Sequence, residues 1–218
     1  MDIYRRVGAL AGILGPLLFV ATFTIEGWLR PSYDPVSIYI SALSLGPRGF
    51  IQVTNFVALG ASLLVFVRGI AAELGKSATV GMTVLACIAI GFIGSGPFVM
   101  DPMTVPPALM SVHSKVHYLL GAMVFGLAPV SCFAFFSHFR KAPDWRWFRW
   151  WTLSVGIAMI IGIVFLKAAQ PSSTPLHTWI GAIQRATLIS WLAWVFAFGV
   201  ALYRHACRAR KPPGDRAA

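Results

Sequence analysis

Charge is what this sequence has least of. Asp, Glu, Lys and Arg make up 11% of its 218 residues, only seven of them acidic, while 57% are hydrophobic. A soluble domain carries about 25% charged residues, so this balance excludes an ordinary water-soluble fold. Cysteine is scarce too. Cys87 and Cys132 fall in apolar runs and Cys207 in the C-terminal tail, which excludes a disulfide-stapled scaffold. The sequence also lacks a glycine-rich phosphate cradle, a nucleophile elbow, a CxxC pair and an HExxH motif. No local signature of nucleotide binding, serine hydrolysis, dithiol redox or zincin chemistry is therefore present. Short segments of period two are missing as well, which argues against a transmembrane barrel.

What the chain does have is six stretches free of Asp, Glu, Lys and Arg: 7–25, 49–67, 77–100, 116–139, 150–166 and 186–203. About 20 apolar residues cross a bilayer core as a helix. The expected fold is therefore an all-α membrane protein, a six-transmembrane-helix bundle over residues 1–206. Its helices are expected at about 7–29, 49–72, 77–100, 112–139, 148–167 and 177–204, ahead of a basic tail over 207–218. The first run ends in Glu26, Trp28 and Arg30 rather than at a small-residue cleavage site, so it reads as a retained helix.

The 18 Lys and Arg residues give a net charge of +11, and their placement says what that charge is for. With the N-terminus inside, thirteen fall on cytoplasmic segments, among them Arg5, Arg68, Arg140 and Arg204, and five on the opposite face: Arg30, Arg48, Lys115, Lys167 and Arg185. This is the positive-inside pattern. It puts both termini in the cytoplasm of a cell with an inner (plasma) membrane, and it accounts for the basic charge without nucleic acid. Membrane lipids are the expected partners, with anionic headgroups against the tail. Trp28, Tyr33 and Trp179 on one side and Trp145, Trp147, Trp150 and Trp151 on the other fit an interfacial aromatic belt. Pro16, Pro97 and Pro129 are expected within helices one, three and four, where each should kink its helix.

Polar side chains at membrane depth are costly and mark sites. Here they gather toward the extracytoplasmic side: Glu26, Gln52, Asn55, His113, His117, Gln184 and Arg185, with Asp34, Asp101 and His177 in loops or helix starts. Gln52 and Asn55 are three apart, and His113 and His117 four apart, so each pair shares a helix face. A polar pocket opening to that side is expected. Arg185 lies too deep for an easy interfacial position and should seek a carboxylate, Glu26 or Asp101. Asp101, Glu26, His113, His117 and Arg185 are the candidate catalytic groups: carboxylates as acid or base, histidines positioning or protonating, and Arg185 stabilising negative charge. Tyr33, Asp34, Gln52, Asn55, His177 and Gln184 are candidate substrate contacts. Two imidazoles one helical turn apart also admit a zinc site, completed by His177 and Asp101. Ser111 reads as a cap for helix four.

Gly15-Pro16 through Glu26, then Arg30-Pro-Ser-Tyr33-Asp34-Pro35, Ile40-Ser41 and Leu43-Ser44-Leu45-Gly46, with Gln52 and Asn55-Phe56, resemble the family called domain of unknown function 998. Asp101-Pro102, the His113 and His117 spacing, and the Gly181 to Arg185 segment extend the likeness over most of the chain. The resemblance implies a six-helix bacterial membrane protein. Where the family commonly looks Glu-Arg in helix six, this chain has Gln184-Arg185. A more distant analogy runs to the alkaline ceramidase and adiponectin receptor superfamily, zinc hydrolases whose HxxxH lies in a final, seventh helix.

The leading functional expectation is a pocket that binds a lipid or isoprenoid-like small molecule and acts on it by acid-base chemistry, as a membrane-embedded isomerase, cyclase or hydrolase. One alternative is a zinc hydrolase built on His113, His117 and His177. Another is a non-catalytic carrier or assembly component.

Overall fold

A hydrocarbon surround leaves backbone N–H and C=O groups only one another as partners, which favours long uninterrupted helices. The computed structural model describes residues 2–208. Within them every regular element is helical: α1 Asp2–Trp28, α2 Gly49–Leu74, α3 Thr79–Ser95, α4 Val112–Phe139, α5 Arg149–Ala168 and α6 Ile180–Arg208, with short 3-10 turns between them. Five stretches are long and apolar enough to cross a membrane, which makes this a multi-pass membrane protein. One of the five, Gly49–Ser95, runs through α2, a 3-10 turn and α3. Residues 209–218, expected as most of the basic tail, lie outside the described residues.

Each helix packs on its chain neighbour, and α6 returns to α1, so the six close a ring. Small residues set the approach. A Cβ at Gly69 would lie 2.7 Å from the Gly8 Cα, and one at Gly199 would lie 2.8 Å from the Gly12 carbonyl carbon. Backbones that close gain dispersion contacts where burial from water supplies no drive between helices. Gly60 opposes Ala89 and Ile93, while Gly96 opposes Val53 and Val57, so α2 and α3 run antiparallel.

Aromatic rings fill the bundle. Phe135, Phe139, Trp194 and Phe198 pack together, and two buried indoles find hydroxyls: Trp191 Nε1 donates to Ser131 Oγ at 3.2 Å and Trp194 Nε1 to Thr152 Oγ1 at 3.0 Å. Trp145 is corrected by the fold. It is 3% exposed and stacks on Phe139 and His205 instead of joining a belt, because the 3-10 turn Pro143–Phe148 folds it inward. Trp147, Trp150 and Trp151 remain exposed, as expected of belt residues.

Pro97 differs as well. The expected third helix ends at Ser95, and Pro97 stands beyond it, because a residue with no N–H and a ring that crowds the preceding turn stops this helix rather than bending it. Pro16 and Pro129 lie inside α1 and α4. The start of α1 and the end of α6 share one end of the bundle, hereafter the termini end. Glu73 there meets Arg5 Nη1 at 3.2 Å and His205 Nδ1 at 3.7 Å, tying α1, α2 and α6 together. The other end, the loop end, carries the three longer connections.

Gly69→Val should separate α1 from α2, at a cost of about 1–3 kcal/mol from overpacking. In detergent it should melt earlier than the wild type, whereas Gly126→Ala, where an added Cβ meets nothing within 4 Å, should melt with it.

Candidate functional site

The first loop does not hang free over the bundle. Its 3-10 turn, Ile40–Ser44, inserts Ile40 and Leu43, 2% and 0% exposed, between the helix ends. Inserting backbone into an apolar setting strands its polar groups unless something answers them. Helix α6 answers them. Arg185 Nη1 donates to Pro35 O at 2.6 Å, Ile38 O at 2.9 Å and Gly181 O at 3.1 Å, and Nη2 donates to the Tyr33 hydroxyl. Gln184 Oε1 accepts the Ile40 N–H at 2.8 Å, and Val36 O accepts the Ala182 N–H at 2.9 Å. A Cβ at Gly181 would lie 2.8 Å from Pro35 O, so glycine alone lets the loop come this near.

The carboxylate expected beside Arg185 is therefore replaced by backbone carbonyls and a phenol. A guanidinium has five N–H donors in a planar fork, and several neutral acceptors can satisfy it without a counter-charge. Its charge also lies over the Tyr33 ring, 5.4 Å from the centroid.

Glu26, 4% exposed, is taken by other partners. Arg48 holds both its oxygens, Nε on Oε2 at 3.1 Å and Nη2 on Oε1 at 2.5 Å. Arg30, one turn on from Glu26, stands 3.7 Å from Oε2 and donates to Leu43 O at 2.7 Å and Leu45 O at 2.9 Å. Two cations thus face one carboxylate. Neither arginine was singled out as a site residue from the sequence, although Arg30 stands at i+4 from Glu26, a spacing that pairs side chains on one helix face.

Beneath the loop, Asn55 Nδ2 donates to Phe19 O at 3.1 Å and to Gln52 Oε1 at 3.2 Å, and Gln52 Nε2 is buried without a protein partner. Asp101 accepts from Ser111 N at 2.7 Å and Ser111 Oγ at 2.9 Å, while Ser111 caps α4 by accepting the Ser114 N–H, as its sequence position suggests. Asp34 closes its own turn. Its carboxyl is held below the usual range chiefly by the Ser37 hydroxyl and then the Val36 N–H. Burial raises the Tyr33 phenol, opposed by Arg185, and pushes Tyr39 up to about 12. The Glu26 carboxylate raises Arg48.

The histidines part company. His113 is exposed beside the Phe98 ring, His117 is buried with Nδ1 2.7 Å from Phe98 O, and His177 Nδ1 is 3.0 Å from Ala169 O. Among the described residues no three His, Cys, Asp or Glu side chains gather closely enough to hold a metal ion, so His113, His117, His177 and Asp101 do not form the alternative zinc ligand set that their spacing admits.

Two spaces adjoin the loop. One, of about 50 Å³, lies between Ser41, Ser95, His117 and Gln184, room for a water or two. The other is an open cleft of about 810 Å³ between the first and second loops, with Arg30, Arg48, Tyr33 and His177 among apolar Leu29, Ile38 and Leu45. Of the candidate residues drawn from the sequence, Tyr33 and His177 line it. Asp101, Glu26, His113 and His117 do not.

Compared with protein-family models, residues 13–201 match the one described as "Protein of unknown function (DUF998)". No curated protein and no solved structure matches the chain.

Gln184→Glu keeps an acceptor for the Ile40 N–H and should melt close to the wild type, whereas Gln184→Leu strands that N–H and should cost roughly 1–3 kcal/mol. Glu26→Gln should cost about 1–3 kcal/mol by thermal melting, less than the ~3–5 of a fully buried pair, because the Arg48 side chain is 50% exposed and can turn to water.

Proposed function

This chain belongs to the DUF998 family, and on that premise we propose that it is a six-crossing protein of a bacterial inner membrane, with cytoplasmic termini, whose extracytoplasmic end binds an anionic amphiphile. The count of six rests on the antiparallel packing of α2 on α3, which turns the single stretch Gly49–Ser95 into two crossings. The 17 residues of α3 span about 26 Å, close to the ~30 Å of a hydrocarbon core. The orientation rests on the bias of Lys and Arg toward the termini end.

The observation that carries the binding reading is the composition of the 810 Å³ cleft. Arg30 and Arg48 border it, no acidic side chain among the described residues lines it, and the rest of the wall is mostly apolar. Glu26 neutralises one of the two arginine charges and leaves the other to attract an anion. A charged head would meet Arg48, whose Nε and one terminal nitrogen hold Glu26 while the other terminal nitrogen is left for a ligand. A prenyl or acyl tail would lie along Leu29, Ile38 and Leu45. This is a lipid or isoprenoid-like ligand, as the sequence suggests, with its charge now specified.

Binding is favoured over acid-base turnover because the best-placed acid and base groups are engaged elsewhere. Asp101 caps its own loop, and His117 faces a void too small for a substrate. Tyr33 and His177 are the groups within the cleft able to move a proton, should a bound ligand be transformed there.

Farnesyl phosphate and farnesol, titrated against the purified protein by tryptophan fluorescence, separate charge from tail. The phosphate should bind more tightly, and Arg48→Gln should weaken it by roughly 10-fold or more, the worth of a charged hydrogen bond. Equal binding of the two ligands, or no effect of Arg48→Gln, would overturn the reading.

A further inference from the structure

The termini end has a cleft of its own, which the proposal above does not use. It lies where the start of α3 meets the end of α4 and measures about 680 Å³. Small side chains open it. Ala78, Gly81, Ala134 and Ala142 stand where larger residues would close the seam between the two helices. Ser77, Ser137, His138 and Lys141 gather at the same place, and among the described residues no carboxylate lines it.

From these residues we infer a binding site for one membrane phospholipid with an anionic headgroup, its phosphate on Lys141 and the Ser137 hydroxyl, since the Ser77 hydroxyl already donates to Leu74 O, and one acyl chain in the groove between α3 and α4. Three independent features converge on that occupant. Lys141 is an exposed cation on a flexible stem, suited to reach a phosphate while its methylenes cover apolar wall. Exposed Lys76 and Arg140 each precede a cleft-lining residue, Ser77 and Lys141, and outnumber the exposed Asp144 that follows in the chain, so the described charge near the mouth is net positive. Exposed Trp147, Trp150 and Trp151 mark this end as the level where headgroups begin, and Val80, 69% exposed, continues the apolar wall outward to where tails would run. His138 Nε2 is buried beside the cleft without a partner among the described residues, so one further polar group is open to the headgroup, as a donor when protonated or as an acceptor of a hydroxyl.

The site differs from the one at the loop end in shape and in what it recognises. There a charged head is met by an arginine already engaged with a carboxylate. Here a lysine, with no carboxylate among the described residues lining the cleft, offers a simple point charge.

Native mass spectrometry of the delipidated full chain, titrated with phosphatidylglycerol and with phosphatidylcholine of the same acyl chains, reads the site directly. The wild type should retain phosphatidylglycerol preferentially, and Lys141→Gln should remove about fivefold of that preference, the worth of one lysine near a charged surface. Ala134→Phe should fill the groove and lower occupancy by both lipids, with an unchanged thermal midpoint showing that the bundle is intact. A preference that survives both substitutions belongs to the remaining basic surface and overturns the inference, as does equal binding of the two lipids by the wild type.

Discussion

The seating of the first loop depends on one guanidinium. An apolar ring of helices is stable along its sides, where lipid meets hydrocarbon, and vulnerable at its ends, where loop backbone must enter low-dielectric surroundings. Arg185 resolves this by donating to Pro35 O, Ile38 O and Gly181 O and to the Tyr33 hydroxyl at once, and Gln184 beside it accepts the Ile40 N–H. With the 35–40 segment held, Ile40 and Leu43 can be inserted, and the loop's far limb brings Arg48 onto Glu26. The cleft outside is the surface this arrangement leaves behind.

The same logic explains why so many polar groups at this end are structural. Asp101 with Ser111, Asn55 with the Phe19 carbonyl, and Asp34 with Ser37 each satisfy backbone or neighbours over short distances. What is left over is positive: two arginines against one buried glutamate. Charge that a fold does not consume is available to a ligand, and in the cleft that residue of charge sits beside apolar wall. The termini end uses its own polar groups differently, since Glu73 gathers Arg5 and His205 into a clasp among three helices. Glu73 carries no signal in the sequence beyond being an acid near the end of an apolar run.

Much of the helical architecture was legible because the hydrocarbon environment imposes one coarse rule, long runs without charge, and α1, α2, α4, α5 and α6 each contain the run expected of them. Membership in the DUF998 family was legible in the first loop and helix-six residues. Pro97 was misread because kinking and stopping a helix leave the same residue in the sequence. Trp145 was misread because amphipathic belts and inward-folded turns share composition. Arg185 is expected to need a partner, but apart from the Tyr33 hydroxyl its acceptors are carbonyls, which every residue possesses and no side-chain inventory reveals. Spacing placed His113 and His117 on one face of a helix. It could not say that one end of that face is exposed and the other is buried under the loop.

Hydrogen exchange of residues 33–42, compared between the wild type and Arg185→Met in the same detergent, tests the central role of this guanidinium most directly. Arg185→Met keeps a long apolar side chain and removes every donor. Faster exchange confined to that segment, with the amides of α3 and α4 unchanged, is what a loop pinned by Arg185 requires. Unchanged protection across residues 33–42 would mean that Gln184, Arg30 and the inserted apolar residues hold the loop without Arg185, and would contradict the account.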